Sequence, residues 1–281
     1  MRLLPVQGNL PVERGHLTVT HGQIEAITFD FGNTLVPVDR AALRRVVELT
    51  GDAVCIRAPE LDRGAFLDAW AEERERQFRE EVPQFREVDL EQRLVRVFAR
   101  IRGGMAPPPP DERWDQDRAA LHSDAAEVAA AVEAYSRAFV AGLPPAPGVG
   151  AMLGRLAASW RLAILSNWPL AATVDHYAAA QGWLPHLRAV VVSQRVGTIK
   201  PHPAMFAAAR KALGSPPGER ILHVGDDWAA DMAGAAGAGW QTAWLKVRPL
   251  DSPLPSSESD GSVEPDFILD TVTDLEAALG R

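Results

Sequence analysis

From residue 24 onward, short apolar runs alternate with longer stretches whose apolar residues recur every three or four positions. The first run, Ile24 to Phe29, ends on Asp30 and reads as a central strand of a parallel sheet, buried on both faces. In the interval that follows, Leu61, Phe66, Ala69, Trp70 and Phe78 share a helical face, and Leu90, Leu94, Val97, Phe98 and Ile101 share another. The consecutive prolines between Met105 and Asp111 mark a connector, because proline cannot sit inside a helix. A third helix is predicted over Asp115 to Val140. The proline cluster from Leu143 to Gly148 then reads as an extended return linker.

Beyond that linker the periodicity predicts a helix over 148–159, a strand over 162–165, a helix over 170–181 and a strand over 189–192. A helix over 203–213, with proline at its start, precedes a strand over 221–224, a helix over 229–238 and a strand over 242–245. A Ser/Pro/Glu/Asp-rich segment, Pro249 to Pro265, is expected to be a mobile loop before a last short strand at 267–269 and a closing helix. Strands alternating with helices predict an α/β fold with a doubly wound, mainly parallel, Rossmann-like sheet. The division expected is a core of residues 24–36 and 147–281, an inserted all-helical module of residues 37–146, and an N-terminal extension of residues 1–23.

Composition narrows the functional classes. A chain of 281 residues with 47% hydrophobic content can bury a full core. A net charge of −8 argues against nonspecific attraction to nucleic acid or membranes. No apolar run is long enough to span a bilayer, and the first twenty residues lack the core of a signal peptide, so the expected compartment is the cytoplasm. The single cysteine, Cys55, has no neighbouring ligands and reads as a small core residue.

Candidate chemistry lies where strands end. A carboxylate closing a buried strand is costly unless it has a task, which makes Asp30 a candidate nucleophile or metal ligand. Ser166-Asn167 follows the strand at 162–165, Gly225-Asp226-Asp227 follows the strand at 221–224, and Lys200-Pro201 precedes a helix. In a parallel sheet such ends converge on one edge. Serine, asparagine and backbone N–H groups hold phosphoryl oxygens, a lysine neutralises them, and paired aspartates hold a hard divalent cation. The glycines from Gly148 to Gly154 imitate a dinucleotide fingerprint, but a proline linker stands where the strand should be. His223, on a predicted strand, reads as a structural histidine. Trp168 either walls a pocket or packs.

The order of these four clusters, with a helical insertion after the first, resembles the haloacid dehalogenase superfamily of hydrolases, most of which are phosphatases. Asp30 to Leu35 looks like its first motif, Ser166-Asn167 its second, Lys200-Pro201 its third and Gly225 to Asp231 its fourth. The insertion resembles a C1-type cap. The resemblance implies that Asp30 attacks phosphorus and forms an aspartyl-phosphate, with Mg²⁺ held by Asp30, Asp226 and the backbone carbonyl of Gly32. It further implies that Lys200 offsets negative charge, that Ser166, Asn167, Lys200 and Thr34 meet the substrate, and that Asp227 and Asp231 stand behind them. The implied substrate is a small phosphorylated molecule, with no nucleic-acid or membrane partner. Oligomeric state is not legible.

Gly32 departs from the family pattern. A second aspartate usually stands there, protonating the leaving group and deprotonating water. General acid–base assistance contributes about 10² to 10⁴ in rate, roughly 3 to 5 kcal/mol of barrier. A tight turn needing glycine's backbone freedom is the simplest account of the residue. The alternatives are a dehalogenase-type hydrolase, whose halide leaves without a proton, and a non-catalytic protein that binds a phosphorylated ligand. If the turn has room, Gly32→Asp is expected to raise turnover of alkyl phosphates, read in a steady-state assay.

Overall fold

The computed structural model describes residues 24–280; the expected N-terminal extension, residues 1–23, lies outside the described residues. Six strands form one parallel sheet: β1 (Ala26–Phe29), β2 (Arg161–Ser166), β3 (Leu187–Val192), β4 (Ile221–Gly225), β5 (Gln241–Leu245) and β6 (Phe267–Leu269). Their spatial order is β3-β2-β1-β4-β5-β6. The chain therefore winds outward from β1 in one direction and then in the other, and β1 against β4 is the point of reversal. Ligands in such sheets collect beyond the strand ends at that point. Asp30 follows β1 there, and Asp226 follows β4.

All four residues of β1 are buried, as the sequence pattern requires of a strand covered on both faces. Residues 37–146 hold helices and no strand: α1 (Arg40–Arg57), α2 (Arg63–Glu81), α3 (Leu90–Ile101), α4 (Gln116–Ala120) and α5 (Ala125–Gly142). Each of these helices begins after an aspartate. Asp39, Asp62, Asp89, Asp115 and Asp124 accept first-turn backbone N–H groups with their side chains, which satisfies donors that a helix start otherwise leaves open. Asp124 also corrects one expectation. The single helix predicted over Asp115 to Val140 is two, because the chain turns at Leu121–Ser123 and Asp124 caps a new start. The proline connector is held by Arg76, whose guanidinium donates to the carbonyls of Pro108 at 2.7 Å and Pro109 at 3.2 Å.

The remaining helices flank the sheet: α6 (Val149–Leu156), α7 (Ala171–Ala180), α8 (Ser193–Val196), α9 (Pro203–Ala212), α10 (Gly234–Gly237) and α11 (Leu275–Ala278). Expected and observed elements differ mainly at their ends, apart from the segment after β4. There Trp228–Ala233 forms a wide π turn before α10, a feature that recurs at functional sites. Among the described residues no helix is long and apolar enough to cross a membrane.

One hydrophobic cluster runs from the sheet into the helical insertion without a break, joining Ile27, Phe29 and Phe31 to Phe66, Leu94 and Phe139. Phe31 is its hinge. Its ring lies 5.1 Å from Trp168, 5.3 Å from Tyr177 and 6.0 Å from Phe139, so the turn after β1 is held by aromatic rings from the insertion and from beside β2. Phe139→Ala is expected to lower unfolding free energy by about 3–5 kcal/mol. Because the cluster is continuous, chemical denaturation should shift as one transition; two separate transitions would contradict the shared core.

Candidate active site

The centre of the site is a buried ammonium. Lys200 Nζ donates to Asp30 Oδ1 at 2.8 Å, to Asp231 Oδ1 at 2.5 Å and to the Leu165 carbonyl at 2.9 Å, which uses all three of its N–H donors. Its backbone is fixed equally firmly. Asn167 Oδ1 accepts from Lys200 N at 2.7 Å, while Asn167 Nδ2 donates to Lys200 O at 3.0 Å. Both ends of the Asn167 amide thus hold the lysine backbone, and Asn167 also lines the cavity.

Asp231 is held from three sides. Besides Lys200, it accepts from His223 Nε2 at 3.0 Å and from the Asp227 N–H at 2.9 Å. Burial keeps His223 neutral by pushing its pKa down. Nε2 then carries the proton toward Asp231, and Nδ1 accepts from the Thr28 hydroxyl at 2.8 Å. The result is a circuit from Thr28 in β1 through His223 in β4, Asp231 and Lys200 to Asp30, two residues past its start. Asp231 approaches so closely that a Cβ on Gly225 would lie 2.3 Å from its carboxylate. A glycine is required there for space.

Asp226 completes the acidic face. One carboxylate oxygen from each of Asp30, Asp226 and Asp231 lies within 4.8 Å of the others. Thr34 donates to Asp226 Oδ1 at 3.3 Å, which engages its hydroxyl with a neighbouring carboxylate. Arg248 Nη1 stands 3.5 Å from Asp226 Oδ2. Asp227 caps the π turn through Ala230 N at 2.7 Å and holds Ser257 N and Oγ, both at 2.8 Å.

The electrostatics follow from burial and charge. Burial and the neighbouring Asp30 and Asp231 charges push the Asp226 carboxyl well above its ordinary range, with Arg248 a partial counterweight. Burial raises Asp30 to about 6 even with Lys200 beside it. Burial opposes the charge of Asp231, but Lys200 and the His223 hydrogen bond outweigh it and hold the carboxyl below its ordinary value. Burial opposes the Lys200 ammonium too, and the two carboxylates overcome that and raise its pKa. Three carboxylates thus face one fully engaged ammonium and one partly exposed guanidinium, an imbalance that suits a divalent cation. The Ser166 hydroxyl is buried beside Asp30 and favours its charged form.

A cavity of about 370 Å³ opens in front of these groups. Asp30, Gly32, Asn167, Lys200, Asp226, Asp227 and Asp231 line one end, and Trp70, Arg74, Phe78, Arg93 and Tyr135 of the helical insertion line the other. Ser166 and Thr34 are buried beside Asp30 and Asp226 respectively. Trp168 does both things the sequence allowed, packing on Phe31 and facing the cavity.

The segment from Pro249 to Pro265 is not the free loop its composition predicts. Ser252 Oγ accepts from Asn33 Nδ2 at 3.0 Å, the Pro253 carbonyl accepts from Arg74 at 2.9 Å, and Asp260 Oδ1 accepts from Trp228 Nε1 at 2.7 Å. It closes one wall of the cavity with Leu254 to Ser257. The simplest account of Gly32 also changes. Its backbone is ordinary, and the left-handed residue of the turn is Asn33, at φ 59°. What excludes a side chain is space: a Cβ on Gly32 would lie 2.6 Å from Leu254 Cδ1 and 3.0 Å from Trp168 Cζ3.

Fold and site together describe an α/β enzyme with a carboxylate–lysine centre at the point of reversal of a doubly wound parallel sheet. The model of the haloacid dehalogenase-like hydrolases matches residues 24–239, and the chain belongs to that family. It is 28% identical over 121 residues to the pyrimidine 5'-nucleotidase YjjG of Escherichia coli, covering 43% of this chain and 53% of that protein. It is 31% identical over 156 residues to a glyceraldehyde 3-phosphate phosphatase of Methanopyrus kandleri, covering 53% and 62%. The chain thus spans little more than half the length of these curated relatives. The solved 2-haloacid dehalogenase of Pseudomonas syringae pv. Tomato shares the fold at a TM-score of 0.60 and 22% identity, over 92% of this chain and 99% of that one.

Sequence reasoning did not single out Arg248, Leu254 or the direct bond from His223 to Asp231. Arg248 had a signal, since it follows β5 at the same edge of the sheet. Leu254 had none.

The Asp231 circuit makes a pH prediction for metal-free protein. Because its folded pKa is depressed, Asp231 contributes stability above the ordinary carboxylate value of 3.8, and that contribution is lost as pH falls below it. Wild type is expected to exceed Asp231→Asn by about 3–5 kcal/mol at neutral pH, the cost of breaking a buried pair. Urea unfolding across pH should show the gap closing in acid; a gap independent of pH would contradict the assignment.

Proposed function

We propose that the protein is a Mg²⁺-dependent phosphatase acting on a small phosphorylated molecule through an aspartyl-phosphate on Asp30. The observation that carries this reading is Lys200, buried between Asp30 and Asp231 with Asp226 at the same point. Asp30, Asp226 and the Gly32 carbonyl are the groups that would hold the ion. When bound, Mg²⁺ offsets the repulsion between the Asp30 carboxylate and an anionic phosphoryl group. Lys200 holds Oδ1 of Asp30 still, which leaves Oδ2 to attack phosphorus as the ester P–O bond breaks. The Ser166 hydroxyl, buried beside Asp30, is placed to donate to a phosphoryl oxygen on the same site. The curated relatives named above act on phosphate monoesters, which supports the same class of substrate.

Residues 37–146 serve in this reading as a cap over the site. Its walls bring Trp70, Phe78 and Tyr135, which bind the part of the substrate beyond the phosphate. Polar contacts hold cap to core: the Leu90 N–H donates to the Pro169 carbonyl at 2.9 Å, Gln194 donates to Asp89 at 3.0 Å, and the Ser193 hydroxyl donates to Glu87. Exchange of substrate and product requires these to part.

A dehalogenase-type hydrolase is the second reading. It is favoured by the apolar cavity wall and the absence of a side chain at residue 32, and opposed by three clustered carboxylates that a metal-free reaction does not need. A panel of phosphate monoesters and 2-haloacids, each with Mg²⁺ and with chelator, separates the readings. Phosphate release that requires Mg²⁺ and falls at least about 10³-fold in Asp30→Asn is expected. Halide release without metal, or phosphate release unchanged in Asp30→Asn, would overturn the phosphatase reading.

A further inference from the structure

Leu254 lies where an acid on residue 32 would have to reach. Its Cδ1 would stand 2.6 Å from a Cβ placed on Gly32, and the Trp168 ring closes the other side at 3.0 Å. The two obstacles differ in kind. A leucine methyl swings away readily, whereas Trp168 is buried and wedged between Phe31 and Phe139, at 5.1 Å from each. Leu254 is itself held in place: the residue before it is latched to the helical insertion through Arg74 and Pro253 O at 2.9 Å, and Ser252 is tied to Asn33 at 3.0 Å. A carboxylate built on residue 32 would enter an apolar corner without a partner, at the cost that such burial carries.

Resting on the phosphatase reading, we propose that the lack of an acid at residue 32 restricts the enzyme to phosphate monoesters whose leaving group departs as an anion, aryl esters above all, and that Leu254 occupies the space such an acid would need. In the first step Asp30 Oδ2 bonds to phosphorus, the P–O(aryl) bond breaks, and its electron pair leaves on the phenolate oxygen with no proton moved. In the second, water attacks phosphorus, the bond to Asp30 breaks, and both protons of the water leave on the phosphate product. The cavity suits the same class. Trp70, Phe78, Tyr135 and Trp168 supply aromatic surface for the departing ring.

The test compares phenyl phosphate with 2-phenylethyl phosphate, which presents the same ring on an alkyl oxygen, using the full chain with Mg²⁺. Wild type is expected to favour phenyl phosphate in kcat/KM by about 10² to 10⁴, the range a general acid supplies. Gly32→Asp alone should gain less on the alkyl ester than the double variant does, and Leu254→Ala alone should leave the preference in place. The double variant Gly32→Asp/Leu254→Ala should gain at least about tenfold on the alkyl ester, as general-acid help is restored. Equal wild-type rates on the two esters would overturn the inference while leaving the phosphatase reading intact, and so would a gain in Gly32→Asp as large as in the double variant. Absence of phosphate release from any ester by wild type would overturn both. The wild-type comparison stands whether or not the variants fold.

Discussion

Burying Lys200 is the constraint on which the rest of the site depends. An ammonium removed from water is tolerated only where every donor is met and opposite charge lies close. Asp30, Asp231 and the Leu165 carbonyl meet those conditions at 2.5 to 2.9 Å. Each partner must in turn be held, and the structure supplies the holders in layers. His223 and the Asp227 N–H fix Asp231, the Asp231 carboxylate fixes the tautomer of His223 while Thr28 meets its other ring nitrogen, Asn167 clamps the lysine backbone, and Gly225 makes way for Asp231. The arrangement remains short of positive charge. Among the described residues Asp226 meets Thr34 and a distant Arg248, so the centre is prepared for a cation and an anionic substrate together.

The parts of this design that were legible in the sequence are those written in local pattern. Apolar runs ending on polar clusters gave the strands of the sheet and placed Asp30, Ser166, Lys200 and Asp226 at one edge, because a parallel sheet leaves few other arrangements. What stayed hidden depends on contacts between distant segments. The amide of Asn167 is spent on Lys200, 33 residues away, and the hydroxyl of Thr34 on Asp226, 192 residues away. No spacing rule announces either. The division of the expected third helix at Asp124 had a local cue, a capping aspartate, but helix-compatible residues on both sides masked it.

Gly32 shows how position and environment must be read together. In isolation a glycine after a strand implies backbone freedom, but the freedom is used one residue later, by Asn33. The space beside Gly32 is claimed by a segment more than 200 residues downstream, whose composition predicts only a loop. That segment is anchored by Asp227, Trp228 and Asn33 on the core side and by Arg74 on the insertion side, so it joins the two as a third wall. The cavity is therefore defined by three stretches of chain, and its apolar character comes mainly from the two that carry none of the charged centre.

The central claim is that Asp30, poised by Lys200, accepts the phosphoryl group. It is tested most directly by acid-quenching the enzyme during turnover of an aryl phosphate and locating the covalent phosphate by peptide mass spectrometry. The account predicts a hydroxylamine-labile phosphoryl group on Asp30 that disappears as substrate is exhausted. Steady phosphate release with Asp30 unmodified, or with the label on another residue, would contradict it.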